Sequence, residues 1–212
     1  MKVTKQEHAC LIVESAGANL IIDPGSFTTL LVGMSDVVAI VITHEHADHW
    51  TSEQLEHILD RNPDARIFGP PGVVAAANDF SVEAVKAGDT IEVGPFTLRF
   101  FGSRHAVIHS SIPIVDNVGV LVNGELYYAG DSYTVPEGVD VGTLAAPAGA
   151  PWLKIGDVMD FVAAVAPQRS FATHEMVLSA AGKSMSNARI KNVTEACGGE
   201  FFDLKPGDSI NL

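Results

Sequence analysis

The chain has 212 residues, 47% of them hydrophobic, enough to fill the core of one large domain, and no apolar run approaches the roughly 20 residues a membrane span needs. Thirteen Lys and Arg stand against 26 Asp and Glu, a formal net charge of −13, and the cations form no cluster. A polyanion is held by a basic face that displaces counterions, so charge excludes a nucleic-acid partner and favours a small-molecule substrate, while leaving a homo-oligomer open.

In chain order, Met1–His8 leads into a strand (Lys2–Lys5) without the apolar region of a signal peptide, which predicts a cytoplasmic protein. Strands follow at Ala9–Glu14, Asn19–Asp23 and Val37–Ile42. Thr51-Ser52 can cap a helix over Gln54–Leu59 before Pro63 closes the region. Next come a strand at Arg66–Gly69, a helix at Pro71–Ala77, and strands at Thr90–Val93 and Phe96–Gly102. Val118–Val122 and Glu125–Ala129 flank Asn123-Gly124, the strongest short hairpin signal. The chain closes with helices at Lys154–Val165 and Ser186–Ala196, the second stopped by Gly198, and strands at Ser170–Ala172 and Glu200–Asp203. Cys10 falls in a strand and Cys197 at a helix end; two such lone thiols read as reduced core or near-core residues, not a disulfide. No linker or low-complexity stretch divides the chain, so residues 1–212 read as a single domain of mixed α and β.

The apolar run Val37–Ile42 opens directly into Thr43-His44-Glu45-His46-Ala47-Asp48-His49-Trp50, which holds three of the eight histidines and a carboxylate. A strand running into so tight a loop aims these side chains into two adjacent pockets. Imidazole nitrogen and carboxylate oxygen suit Zn²⁺ and related divalent ions, so this loop reads as a metal site. Further candidate ligands stand downstream, each at a predicted strand end: His105 after Phe100-Phe101-Gly102, Asp131 after Tyr127-Tyr128-Ala129-Gly130, and His174 after Phe171-Ala172-Thr173.

The His-x-His-x-Asp-His spacing of His44 to His49 resembles the signature of the metallo-β-lactamase superfamily. Around it, Leu20–Gly25 resembles the family's early strand and Asp-Pro-Gly turn, and the later segments resemble its isolated His, its Gly-Asp-Ser element and its late His, in the same order. The resemblance implies an α+β fold, the four-layered αββα sandwich, with strands followed by helices in each of the halves 1–110 and 111–212. It implies a first metal held by His44, His46 and His105, a second held by Asp48, His49 and His174, and Asp131 bridging the two. The expected cofactor is two divalent ions, Zn²⁺ by default with Mn²⁺ or Fe also suited, and a hydroxide between them as nucleophile. Asp48 is the second catalytic candidate, orienting that hydroxide.

His109 is a rival to His105, since residues four apart on an extended strand face one side. His105 is preferred because it ends the strand where the family places its isolated His; His109 then reads equally as a group that faces the substrate or donates a proton to the leaving group, or as a surface histidine beside Ser110-Ser111. Asp23 reads equally as turn chemistry or as a carboxylate behind a metal-bound imidazole. His8 resembles the Gly-His start seen in lactonase-like members, but Glu7 stands where the glycine belongs, and no role is assigned to it.

The short chain and the Asp-Pro turn look most like the L-ascorbate-6-phosphate lactonase-like branch. That resemblance implies a binuclear metal-dependent hydrolase of a small ester, lactone or phosphoester. The alternatives on the same fold are a thiolester hydrolase, a mononuclear iron oxidoreductase and a non-catalytic metal-binding protein. Pocket walls are expected from Gly25–Met34, Ala106–Asn117 and Tyr133–Pro151, the last either a lid or a plain connection.

Overall fold

Alternation is visible from the first strand. In β1 (Lys2–Lys5) and β2 (Leu11–Ser15), Val3, Leu11 and Val13 are fully buried while Thr4, Ile12 and Glu14 between them are not, as period-2 side chains on one covered face require. The computed structural model describes all residues, 1–212. Along with β3 (Ala18–Ile22), β4 (Val37–Val41), β5 (Arg66–Gly69) and β6 (Val82–Ala84), these strands form a seven-stranded sheet. Its order is β14-β1-β2-β3-β4-β5-β6, the edge being β14 (Ser209–Asn211) from the far end of the chain.

The second seven-stranded sheet contains β7 (Thr90–Val93), β8 (Phe96–Phe101), β9 (Gly119–Val122), β10 (Leu126–Tyr128), β11 (Thr143–Pro147), β12 (Arg169–Thr173) and β13 (Glu200–Phe202), in reverse spatial order. The Asn123-Gly124 turn joins β9 to β10, with φ of 52° and 70° at its two residues, the positive pair that a two-residue hairpin requires.

Between the sheets, Val3, Leu20, Ile22 and Phe68 of the first meet Phe96, Phe100, Val120 and Phe171 of the second. Outside the first sheet, Ile40 and Ile42 pack under α1 (Ser52–Arg61) and α2 (Pro71–Ala76) through Leu55, Ile58 and Val73. Outside the second, Leu144 and Ala172 pack under α3 (Ile155–Val165) and α4 (Ala180–Ala196) through Phe161, Val162 and Ile190. The result is the expected four-layered αββα sandwich.

Several details differ from expectation. The halves do not divide near residue 110: β7 and β8 already belong to the second sheet, and β14 returns to the first. Thr143–Pro147 is a strand paired in parallel on both sides, so residues 133–151 are not a lid. Its Ala and Pro content hid a strand that burial on both faces stabilises. Three-residue β6 and β14 carried too short a pattern to read. Helix α4 begins six residues before Ser186, capped by the Ser179 hydroxyl, which accepts the Gly182 N–H. Cys10 is buried and free, whereas Cys197, also free, is exposed instead of near-core.

Strands β1, β3 and β4 run one way in the first sheet. In the second, β8, β10, β11 and β12 share a direction. Their carboxyl ends all open onto one rim, the usual ligand-binding edge of such sheets.

Candidate metal centre

β3 ends in Asp23-Pro24-Gly25 and β4 in Ile42-Thr43-His44, and the two ends are laced together. The buried Asp23 carboxylate accepts the Thr43 N–H at 2.8 Å, the Thr43 hydroxyl at 2.7 Å and the His49 Nδ1–H at 2.6 Å. A β-carbon at Gly25 would lie 1.8 Å from the Asp48 carbonyl oxygen, so the turn must end in glycine for the metal loop to lie against it. Ser26 N–H then bonds the Ala47 carbonyl at 2.8 Å. The Asp-Pro-Gly turn thus does both things open to it in the sequence: it turns the chain and orients a histidine.

The imidazoles converge from several strand ends. His44 Nε2 lies 3.1 Å from His46 Nδ1, and with His105 these two form a group whose ligand atoms all fall within 4.8 Å of one another. Asp48, His49 and His174 form a second such group, joined by His8. Asp131 lies between: its Oδ1 is 3.2 Å from His49 Nε2, and its Oδ2 is 3.3 Å from His105 Nε2 and 3.2 Å from His174 Nε2. All seven residues named from the sequence therefore meet in one place.

The remaining nitrogens define the tautomers. Thr43 Oγ1, already donating to Asp23, accepts the His44 Nδ1–H at 3.1 Å; Ala106 O accepts from His105 Nδ1 at 2.5 Å, and Gly149 O from His174 Nδ1 at 2.8 Å. With Nδ1 protonated in each ring, Nε2 presents a lone pair to the centre. His49 Nε2, His105 Nε2, His174 Nε2 and Asp131 Oδ1 are buried without any hydrogen-bond partner. Orphaned buried polar atoms are costly, and three imidazole nitrogens gathered with the oxygen of one carboxylate fit divalent cations.

Without a cation, the same centre draws protons in its place. Burial alone would raise the Asp131 carboxyl, but His49 and His174 hold it well below the carboxylate range. Burial also opposes charge on His174 and His49; Asp131 outweighs it, lifting His174 to about 9 and His49 well above the usual imidazole range. His44 is driven the other way, by burial first and then by His49. Against the cost of its burial, Asp48 is kept ionised by the His174 imidazole, 3.5 Å away, and by the hydrogen bond from His8.

Three residues escaped the sequence reading. His8 is fully buried; its Nδ1 accepts the Met176 N–H at 3.2 Å, so its Nε2 carries the proton and donates to Asp48 Oδ2 at 3.2 Å. It is a holder of Asp48, not a ligand. Trp152 donates its indole N–H to Asp131 Oδ2 at 2.8 Å and packs edge-on to His105. Asn117, also buried, accepts the Asp131 N–H and donates to Ala129 O. An aromatic following Pro151 and a polar residue before an apolar strand were the only signals. His8, Asp23 and His174 all have positive φ, 59°, 49° and 56°, a strained conformation that gathers at functional sites.

His109 is not brought in. Residues 105–115 form an irregular excursion instead of a strand, so the four-residue spacing from His105 does not put the two rings on one side. The exposed His109 ring is held in its own turn, with Nδ1 2.8 Å from the Ser111 hydroxyl.

A four-layered αββα sandwich with a His and Asp cluster on the carboxyl rim defines the class. The chain belongs to the β-lactamase superfamily: residues 2–174, ending on the last histidine of the cluster, match the model of the beta-lactamase superfamily domain. It is 35% identical over 199 residues to Protein Rv0786c of Mycobacterium tuberculosis, covering 92% of this chain and 93% of that protein. Igni18, a metallo hydrolase from Ignicoccus hospitalis, superposes with a TM-score of 0.75 at 17% identity, over 99% of this chain and 97% of its own. CmlA, a diiron beta-hydroxylase from Streptomyces venezuelae, gives 0.76 at 16% identity, over 100% of this chain and 54% of its own. At such identities these two show the fold alone.

Proposed function

We propose that the protein is a binuclear metal-dependent hydrolase of a small ester, lactone or phosphoester. The observation that carries this reading is the set of buried, unpartnered atoms on His49, His105, His174 and Asp131. His44 Nε2, His46 Nδ1 and His105 Nε2 would hold one ion, and Asp48, His49 and His174 the other, with Asp131 shared. Zn²⁺ suits this nitrogen and oxygen set, and Mn²⁺ or Fe is compatible with it. When bound, the ions supply Lewis acidity toward the scissile bond and lower the pKa of a water toward neutrality.

The chain's own residues do the rest. Asp23, Thr43, Ala106 and Gly149 engage Nδ1 of the four rings, which leaves Nε2 as the atom that would face the ions. Trp152 steadies Asp131 and covers it from water. Asp48 has a side chain 26% exposed, is held ionised by His8, and can orient a water by accepting its hydrogen bond. His109 is exposed and engaged with Ser111, so solvent at the mouth supplies the leaving group's proton. The lactonase-like branch rests on the Asp-Pro turn and chain length alone. Two free thiols support a reducing compartment such as the cytoplasm, and no helix is long and apolar enough to cross a membrane.

The test is metal analysis of protein purified without chelator, followed by turnover of lactones, phosphodiesters and thiolesters with and without chelator. Two equivalents and chelator-sensitive hydrolysis are expected. One equivalent that added Zn²⁺ or Mn²⁺ cannot raise would overturn the binuclear reading. Full occupancy with no turnover would favour the non-catalytic one.

A further inference from the structure

The loops that wall the metal centre are unlike the rest of this acidic chain: residues 24–31, 105–115, 148–153 and 176–179 contain no Asp, Glu, Lys or Arg. They are also where apolar side chains are left in water. Phe27, Val107, Ile112, Ile114, Met176 and Val177 are each between 40% and 59% exposed. Their loops abut the centre directly. The Phe27 ring meets the His8 ring edge-on at 4.9 Å, Met176 N–H bonds His8, and Ala106 N–H bonds the Asp131 carbonyl at 2.8 Å. Large apolar groups are normally covered, and an exposed set rimming a polar centre marks a binding surface.

Charges of both signs border the mouth, and the one cation that reaches its apolar rim is Lys183, with Nζ 3.7 Å from Met176 Sδ. Glu7 is turned onto the Thr29 N–H and hydroxyl, and Glu45 lies against Gly72. Arg104 is exposed and sits opposite Asp116 in a backbone bridge at the base of the 105–115 excursion.

We infer that the substrate is uncharged away from its scissile group and carries an apolar acyl chain: a carboxylic ester or lactone, not a phosphorylated or otherwise anionic one. This inference rests on the hydrolase reading of the same centre and narrows it. In the reaction, water's oxygen bonds to the acyl carbon, the bond from that carbon to the alkoxy oxygen breaks, and a water proton passes to the alkoxide. The products are an alcohol and a carboxylic acid. The acid ionises at neutral pH, and beyond the ions themselves and Lys183 at Met176 the four loops carry no cation to retain it. Apolar walls therefore favour substrate over product.

The experiment uses Zn²⁺-loaded protein with ethyl acetate, ethyl butanoate, ethyl octanoate and monoethyl suberate, whose far carboxylate matches the octanoate chain in length. Specificity, kcat/KM, should rise about twofold to fourfold per methylene up to octanoate, and monoethyl suberate should be at least about tenfold poorer than ethyl octanoate. Binding is read separately with the unreactive octanamide and 8-amino-8-oxooctanoate, through fluorescence of Trp50 and Trp152. Octanamide should bind tighter, Ile112→Glu should weaken it severalfold, and Arg104→Gln should leave it unchanged. Discrimination by the amides without turnover of any ester sinks the hydrolase reading and leaves the apolar mouth standing. No chain-length effect, or a preference for the anionic probes that Arg104→Gln or Lys183→Gln removes, overturns the inference. So does a dimer or vesicle-bound form that buries Phe27 and Val177 and is broken by changing them to Ser.

Discussion

The two halves of the metal centre are built differently. His44 and His105 are set by their immediate neighbours, Thr43 and Ala106, one residue away in each case. The other half is set across the chain. His49 is held by Asp23, 26 residues distant, Asp48 by His8 at 40, and His174 by Gly149 at 25, while His8 itself is held by Met176 at 168. The first half needs only a correctly formed loop and excursion. The second needs the ends of β1, β3 and β12 to be in register, so its geometry is tied to the stability of the whole sandwich.

Asp131→Asn should have the largest effect, since Asp131 serves both halves. Turnover should fall by about 10³-fold or more, equivalent to several kcal/mol of transition-state stabilisation, with the second equivalent of metal lost and the circular dichroism spectrum kept. Retention of two tightly held ions would show that the halves do not share this carboxylate. Asp23→Asn should separate the halves. Removing the charge behind His49 should weaken one ion by about 10- to 100-fold, the usual effect behind a metal-bound imidazole, and leave the other in place. A stepwise Zn²⁺ titration reads this directly, and equal weakening of both steps would break the comparison.

His8→Ala tests the tie to stability. It leaves the Met176 N–H without its acceptor and Asp48 without its donor, so the urea midpoint should fall by the equivalent of about 1–3 kcal/mol. His46→Ala, changing a half-exposed ligand on the local side, should move the midpoint of the metal-free protein far less. Similar losses from both would mean that the two halves are equally coupled to the fold. The smallest effect is expected from His109→Ala. With its ring engaged only in its own turn, metal content should be unchanged and kcat should stay within about twofold at neutral pH. A tenfold loss in kcat at unchanged metal content would restore the proton-donor reading of the sequence.

The same division explains what could be read in advance. His44, His46, Asp48 and His49 stood out because all four lie in one short loop after an apolar run, and local spacing is visible in a string of letters. His105, Asp131 and His174 were recoverable because each follows a strand end, a position that periodicity locates. His8 and Trp152 carried no such mark. A lone histidine after a short strand, or a tryptophan in an Ala-, Gly- and Pro-rich stretch, acquires its role only from what packs against it. The rivalry of His109 with His105 rested on an extended strand where the chain makes an irregular excursion, and a period-2 argument holds only on a strand.

The sequence by itself determined the αββα class, most of its strands, the Asn123-Gly124 hairpin and the seven clustered metal-binding candidates. The strands, the hairpin and the ligand candidates depend on local periodicity, turn chemistry and side-chain ligand chemistry, whereas the αββα class came from the resemblance carried by the motifs in their order. Tertiary structure alone decided that β7 and β8 join the second sheet, that Thr143–Pro147 is a central strand, and that β14 closes the first sheet. It also decided that Asp23 orients His49 and that His8 holds Asp48. Pairings between residues 26, 40 or 168 positions apart are set by how two sheets stack over a common core, and no local pattern encodes that stacking.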